Sequence, residues 1–255
     1  MNILTRLGLF YGSTFVFTIM FVIVQQLLGL DPTKLSLPQF GPAVAAVLML
    51  IVFKKDQHKL TITFKGVPFA KYMAAVGIPL VVPALLFLVY NQWIAPIALP
   101  AIDGPSFIML LGGILVGAFG EEVGWRGYAQ KMLAHRLSRT SAFLIIGVLW
   151  GVWHVGNFQH GLVYMGFFVL SAVGYSAVMD WLLRGTDYNV VVATVFHFAV
   201  NAGFYILQDA MADIRLVALN GVVWGGAAVV IAVLGRYKFA FGHRVQNKRE
   251  VGLWG

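Results

Sequence analysis

Gly120-Glu121-Glu122-Val123-Gly124-Trp125-Arg126-Gly127 lies inside an otherwise apolar run that begins near Phe107. The chain has three glutamates, and two stand side by side in this stretch; the third is Glu250. An ionisable group at membrane depth costs at least a few kcal/mol, so it faces a protein interior and usually serves a function. Glu122 and Arg126 are four apart and share a helix face, where they can pair. Glu121 points about 100° away, which leaves it outside that pair. An ion pair that only fixes helix packing would account for Glu122 and Arg126. It would not account for Glu121, because one arginine needs one carboxylate partner.

Working outward, the surroundings are those of a membrane protein. Of 255 residues, 60% are hydrophobic and 11% charged, and the mean hydropathy is +0.83. This composition belongs to a polytopic membrane protein, not a soluble domain. Cysteine is absent, which excludes disulfides, thiolate metal sites and cysteine nucleophiles. The net charge of +8 carries no nucleic-acid reading, because basic excess in membrane proteins gathers in cytoplasmic segments. The first apolar run is too long for a signal-peptide core and reads as a retained span.

Apolar runs at about 7–28, 40–53, 72–93, 106–132, 141–155, 162–183, 189–207 and 216–234 predict an all-α transmembrane bundle of about eight spans, forming one integral-membrane domain over 1–255. With the N-terminus inside, Arg6, the lysines from Lys54 to Lys71, Lys131, Arg136, Arg139, Arg184 and the tail group Arg236, Lys238, Arg244, Lys248 and Arg249 are cytoplasmic. Only Lys34 and Arg215 fall outside, and Arg126 lies in the membrane. The bias predicts an N-in, C-in topology. Clustered basic segments could also serve an anionic-lipid or partner site.

Two more constellations lie in later spans. His154 sits in span five with Trp150 at i−4, and His197 in span seven shares a face with Asn201 at i+4. Each alone reads equally as interhelical hydrogen bonding. Taken together, three apolar spans bring a carboxylate pair with arginine, a histidine, and a histidine with an amide, a set suited to activating water and stabilising an oxyanion. His58, His135, His160 and His243 fall in loops or ends and read as solvated. Gly113, Gly117, Gly120, Gly124 and Gly127 form a small-residue stripe on span four, either a packing seam or a substrate groove.

The motifs Glu-Glu-x-x-x-Arg, aromatic-x-x-x-His and His-x-x-x-Asn, in this order on separate spans, closely resemble the CPBP intramembrane protease family. That family covers CAAX prenyl protease type 2 enzymes and bacteriocin-processing or immunity relatives. The matching residues are Glu121, Glu122, Arg126, Trp150, His154, His197 and Asn201. The family-like core runs over about 106–208; the first spans match only in hydropathy. Trp150 stands where the prenyl-protease branch has phenylalanine.

The resemblance implies an intramembrane endopeptidase acting on a membrane-associated protein or peptide, a CAAX terminus or a bacteriocin-type leader. By carry-over, Glu121 activates water, His154 holds it, His197 and Asn201 bind the oxyanion, and Glu122 with Arg126 shapes the site. The implied location is the lipid bilayer of a bacterial cell, and no nucleic acid is involved.

No cofactor is favoured. Zinc held by Glu121, His154 and His197 is the competing arrangement, disfavoured because both histidines lack a second-shell acceptor beyond backbone carbonyls. Counting helical rise places the reaction in the cytoplasmic half, with substrate approaching from that side. A proton-coupled transporter and a non-catalytic immunity or scaffold protein are the rival readings. Intramembrane Glu, His and Arg occur in transporters too, but no inverted repeat is evident.

Overall fold

In the computed structural model, which describes residues 2–54, 59–101 and 103–250 and the side chains as far as 234, the described residues form helices and connecting loops with no strand. The helices are α1 (Ile3–Leu27), α2 (Gly41–Val52), α3 (Phe69–Trp93), α4 (Gly104–Glu122), α5 (Lys131–Ala134), α6 (Arg139–Trp153), α7 (Leu162–Leu182), α8 (Val190–Phe204) and α9 (Ile214–Glu250). A π-helical segment, Val123–Gln130, joins α4 to α5. Short 3-10 turns occupy Leu37–Phe40, Val155–His160 and Tyr205–Ala210. The placement of His58, the side chain of His243 and those of the basic tail from Arg236 onward fall outside the described residues or side chains.

Among the described residues, six segments are long and apolar enough to cross a membrane: Ile3–Leu27, Phe69–Trp93, Gly104–Ala134, Leu162–Leu182, Val190–Ala210 and Ile214–Leu234. Leu37–Val52 and Arg139–Trp153 are apolar but shorter. All eight coincide with the expected apolar runs, and two of them fall below the roughly 20 residues a straight span needs. The chain is an integral membrane protein with its apolar side chains on the outside: Val16, Leu88, Ile108 and Val229 are all exposed.

Local sequence explains the element ends. Asn2, Asp103, Ser138 and Asn189 each accept a backbone N–H at the start of α1, α4, α6 and α8. Pro79 and Pro83 lie inside α3, and Gly203 of α8 packs where an added Cβ would meet Pro83. The core gathers Phe10, Trp125, Tyr128, Trp150, Trp153, Phe196 and Trp224 from four helices and the π segment. α7 packs on α6 and α9, and α8 on α3 and α4.

The two ends of the bundle differ. At one end the basic residues are used as fasteners. Lys131 donates to the carbonyl of Lys59 and to Asp187, both at 2.7 Å, and Lys71 donates to the carbonyls of Leu182 and Arg184, both at 2.6 Å. Asp180, wholly buried on α7, accepts from Arg139, Gln130 and Tyr188. At the other end Tyr90 donates to Asp213, which also pairs with Arg215. Hydrogen bonds from Arg215 first, then Tyr90, hold the Asp213 carboxyl well below the usual carboxylate range.

Candidate active site

The fourth apolar run does not stay α-helical through its polar motif. α4 ends at Glu122, and the next eight residues take π-helical bonding with every one of them buried. π segments concentrate at functional sites because they redirect side chains that a regular helix would space evenly. The glycines explain how neighbours come so near: a Cβ on Gly124 would lie 2.4 Å from Pro42, and one on Gly113 2.0 Å from the Lys34 carbonyl oxygen. Gly113, Gly117, Gly120 and Gly124 therefore form a packing seam that seats the segment 34–42 on α4 and the π segment, while Gly127 packs against Leu60 and Val190.

Glu122 and Arg126 pair as expected, at 2.7 Å with both side chains 0% exposed. The same Glu122 oxygen accepts from His197 Nδ1 at 2.8 Å, and Arg126 Nη2 donates to Ser176 Oγ at 2.9 Å. The Arg126 guanidinium also lies 4.3 Å over the Trp150 ring. Glu122 thus accepts from two donors, Arg126 in the π segment that follows it and His197 on α8.

Glu121 is not the uncommitted carboxylate that its helical angle suggests. Trp150 Nε1 donates to its Oε2 at 2.7 Å, and Gln39 Nε2 donates to its Oε1 at 2.8 Å. The indole N–H is what tryptophan adds at a position where phenylalanine would only pack.

His154 is not inside a helix either. It caps the C-terminal end of α6, and its Nδ1 donates to the Trp150 carbonyl at 2.9 Å, one of the carbonyls a helix end leaves open. α6 is 15 residues long, about 22 Å at the helical rise. It stops short, and the 3-10 turn after it forms part of a cavity wall, the setting in which non-helical backbone is tolerated at membrane depth.

Two cavities meet at these groups. One, of about 260 Å³, is lined by Glu121, Trp150, His154, His197 and Asn201, with Tyr175 and Asn220 farther in. The other, of about 370 Å³, is lined by Thr18, Ser36, Pro38, Trp153, Val155 and Gly156. Gln39, Glu121 and His154 border both. Four sequence candidates, Glu121, His154, His197 and Asn201, therefore share one cavity, while Glu122 and Arg126 stand behind it.

The segments around the cavities, 36–39, 155–157, Phe204 and Met211, lie at the end of the bundle opposite the basic fasteners. Helical rise gives the depth of Glu121 but not which end of the bundle a cavity borders, and hydrogen-bonded lysines and Asp180 bind the basic end together.

The reasoning about zinc also changes. His197 does have a carboxylate acceptor, Glu122, and the imidazole bonds of His197 and His154 through Nδ1 leave both Nε2 atoms uncommitted. That is second-shell support of the kind a metal site uses. As placed, however, no three His, Asp or Glu side chains among the described residues group closely enough to hold a metal ion.

Sequence reasoning missed Gln39, Ser176, Tyr175, Asn220 and Asp180. Asp180 carried a signal, an acid within an apolar run; Gln39, between Pro38 and Gly41-Pro42, carried none.

A family model described as Type II CAAX prenyl endopeptidase Rce1-like matches residues 103–203. Lysostaphin resistance protein A of Staphylococcus epidermidis is 23% identical over 88% of this chain and 61% of its own length. The Staphylococcus aureus protein of that name is 22% identical over 84% of this chain and 53% of its own. CAAX prenyl protease 2 of Methanococcus maripaludis is 29% identical over 49% of this chain and 50% of its own. This chain therefore spans half to three-fifths of the length of these relatives. Glu121, Glu122, Arg126, His154, His197 and Asn201 all fall within the matched residues, and over this segment the chain is similar to the Rce1-like CAAX prenyl endopeptidases, in line with the resemblance of its motifs.

Proposed function

We propose that this chain is an intramembrane endopeptidase of a bacterial cell membrane, hydrolysing a peptide bond in a membrane-associated protein or peptide. The observation that carries this is Glu121, a carboxylate held by two N–H donors at a cavity shared with His154, His197 and Asn201. Such fixed geometry is what a general base needs to take a proton from water. His154, with Nδ1 engaged, offers its Nε2 lone pair to hold that water. The Asn201 amide can donate to the developing oxyanion, and His197 can join it only when both ring nitrogens carry protons, because Nδ1–H already serves Glu122. Glu122 and Arg126 fix His197 from behind the cavity.

A CAAX-type terminus is the substrate class suggested by the name of one relative, and a leader-type peptide is the one added by the resemblance of the motifs. Peptide termini compared between cells carrying the wild-type chain and cells carrying Glu121→Gln test the activity and find the substrate together. Identical profiles would overturn the reading, leaving a scaffold or immunity role.

The second-shell acceptors of His154 and His197 favour one further reading, zinc held by Glu121, His154 and His197 and supplying an acidified water. The mechanism above uses none. Dialysis against a strong chelator, with elemental analysis of the purified chain, distinguishes them. Activity should survive. One zinc per chain, lost and regained with activity, would reassign both histidines as ligands.

A further inference from the structure

Gln39 lies outside the family-matched residues, yet its amide touches the carboxylate at the centre of the site. Resting on the hydrolase reading above, we infer that Gln39 is a positioning residue for Glu121, delivered by the α1–α2 connection and admitted by the absence of a side chain at Gly117.

The delivery is built from several contacts. Gln25, 7% exposed on α1, accepts the Leu37 backbone N–H at 2.7 Å through Oε1. Thr18 donates to the Pro38 carbonyl at 3.5 Å and itself accepts Trp153 Nε1 at 3.1 Å. The 3-10 turn Leu37–Phe40 is thereby fixed to α1 and α6. Gly41 lets the next helix begin there, since a Cβ would lie 2.2 Å from Thr18 Oγ1. The backbone of Gln39 rests against Gly120, where a Cβ would come within 2.9 Å of its carbonyl oxygen.

The side chain then crosses Gly117. A Cβ at that position would lie 2.0 Å from Gln39 Oε1 and 2.6 Å from Cδ. Only glycine leaves the amide room to reach Glu121. The collision is with the free end of a flexible side chain, so an alanine there would swing the amide away without moving the backbone.

A carboxylate accepts and cannot donate, which fixes the Gln39 amide with Nε2 toward Glu121. With Trp150 on the other oxygen, Gln39 sets the rotation of the carboxylate about its last torsion. Because Gln39, Glu121 and His154 border both cavities, that rotation decides where the basic lone pair points along the path between them.

The test uses the purified full chain and a fluorogenic peptide spanning the cleavage site found by the termini comparison. Gln39→Met keeps the length and removes the donor. It should lower kcat by about ten- to hundredfold, the effect of one hydrogen bond to a charged group, and leave KM within about threefold. Gly117→Ala should reproduce this, and the two together should cost little more than either alone.

Gln39→Glu supplies a readout that a packing role would not move. It donates to Glu121 only when protonated, so its activity relative to wild type should be higher near about pH 5 than near about pH 8. A Gln39→Met kcat within about threefold of wild type overturns the inference. So does additivity with Gly117→Ala, a pH-independent Gln39→Glu ratio, or a loss explained by a parallel fall in thermal midpoint. Equal cleavage by wild type and Glu121→Gln would instead overturn the hydrolase reading, and this inference with it.

Discussion

Glutamine at position 121 keeps one acceptor and presents an N–H₂ to a donor that previously faced a carboxylate oxygen. That acceptor can serve Trp150 Nε1, and the Gln39 amide can rotate to accept the N–H₂, so the cost to stability stays under about 1 kcal/mol. Glutamine at 122 leaves Arg126 buried at 0% exposure without an anionic partner and removes the charge facing His197, a loss of about 3–5 kcal/mol. Glu121→Gln should therefore abolish cleavage with a small fall in thermal midpoint, and Glu122→Gln should lower both. Scans of the two variants in one detergent, beside their cleavage rates, check the contrast; equal midpoints would count against it. Trp150→Phe keeps a ring against His154, His197 and Arg126 and loses only the N–H to Glu121. Its kcat should fall by about tenfold or more while the protein stays folded, and an unchanged kcat would show that the indole only packs.

At the scale of elements, α4 and its π-helical continuation act as a seat whose shape depends on glycine at some positions and not others. Gly124 faces Pro42 backbone and ring carbon at 2.4–2.5 Å, contacts that a Cβ cannot share, whereas Gly112 has nothing within 4 Å. Gly124→Ala should destabilise the protein by about 1–3 kcal/mol, since α2 must move off the seat. Gly112→Ala should be neutral or stabilising by up to about 1 kcal/mol, because alanine is the better helix former. Thermal midpoints of the two variants decide; a larger loss for Gly112→Ala would mean that the seam lies on another face. The early end of α6 belongs to this scale too. Had the helix continued, Nδ1 of His154 would have no open carbonyl to bond.

At the scale of the whole molecule, the two ends have separate work. Arg6, Lys71, Lys131, Arg139 and Arg184 gather at one end, several of them tied to carbonyls and to Asp180 or Asp187, and the cavities are bordered by segments at the other. If the basic bias puts the first end in the cytoplasm, the cavities border the outer side. Single cysteines replacing Arg136 and Gln159, both exposed and at opposite ends, read this directly. Impermeant thiol reagents should label position 159 in intact cells and position 136 only after permeabilisation. The reverse pattern would invert the topology and put the cavities on the cytoplasmic side.

Apolar runs by themselves determined an all-helical membrane chain and the places of its helices, because backbone polar groups in lipid must be satisfied internally and unbroken apolar runs of this length do so as helices, not as barrel strands. Sequence also picked out Glu121, Glu122, Arg126, His154, His197 and Asn201, since polar groups of complementary chemistry inside apolar runs stand out without any knowledge of packing. The tertiary structure alone decided who holds whom. Glu122 serves Arg126 and His197 together, through a contact that joins residues 75 apart in the chain. Gln39 reaches Glu121 across 82 residues, from a turn with no periodicity to betray it. Which end the cavities border likewise depends on side chains that meet only on folding. Periodicity reports the direction a side chain leaves its own helix; it carries no information about the helix that comes to meet it.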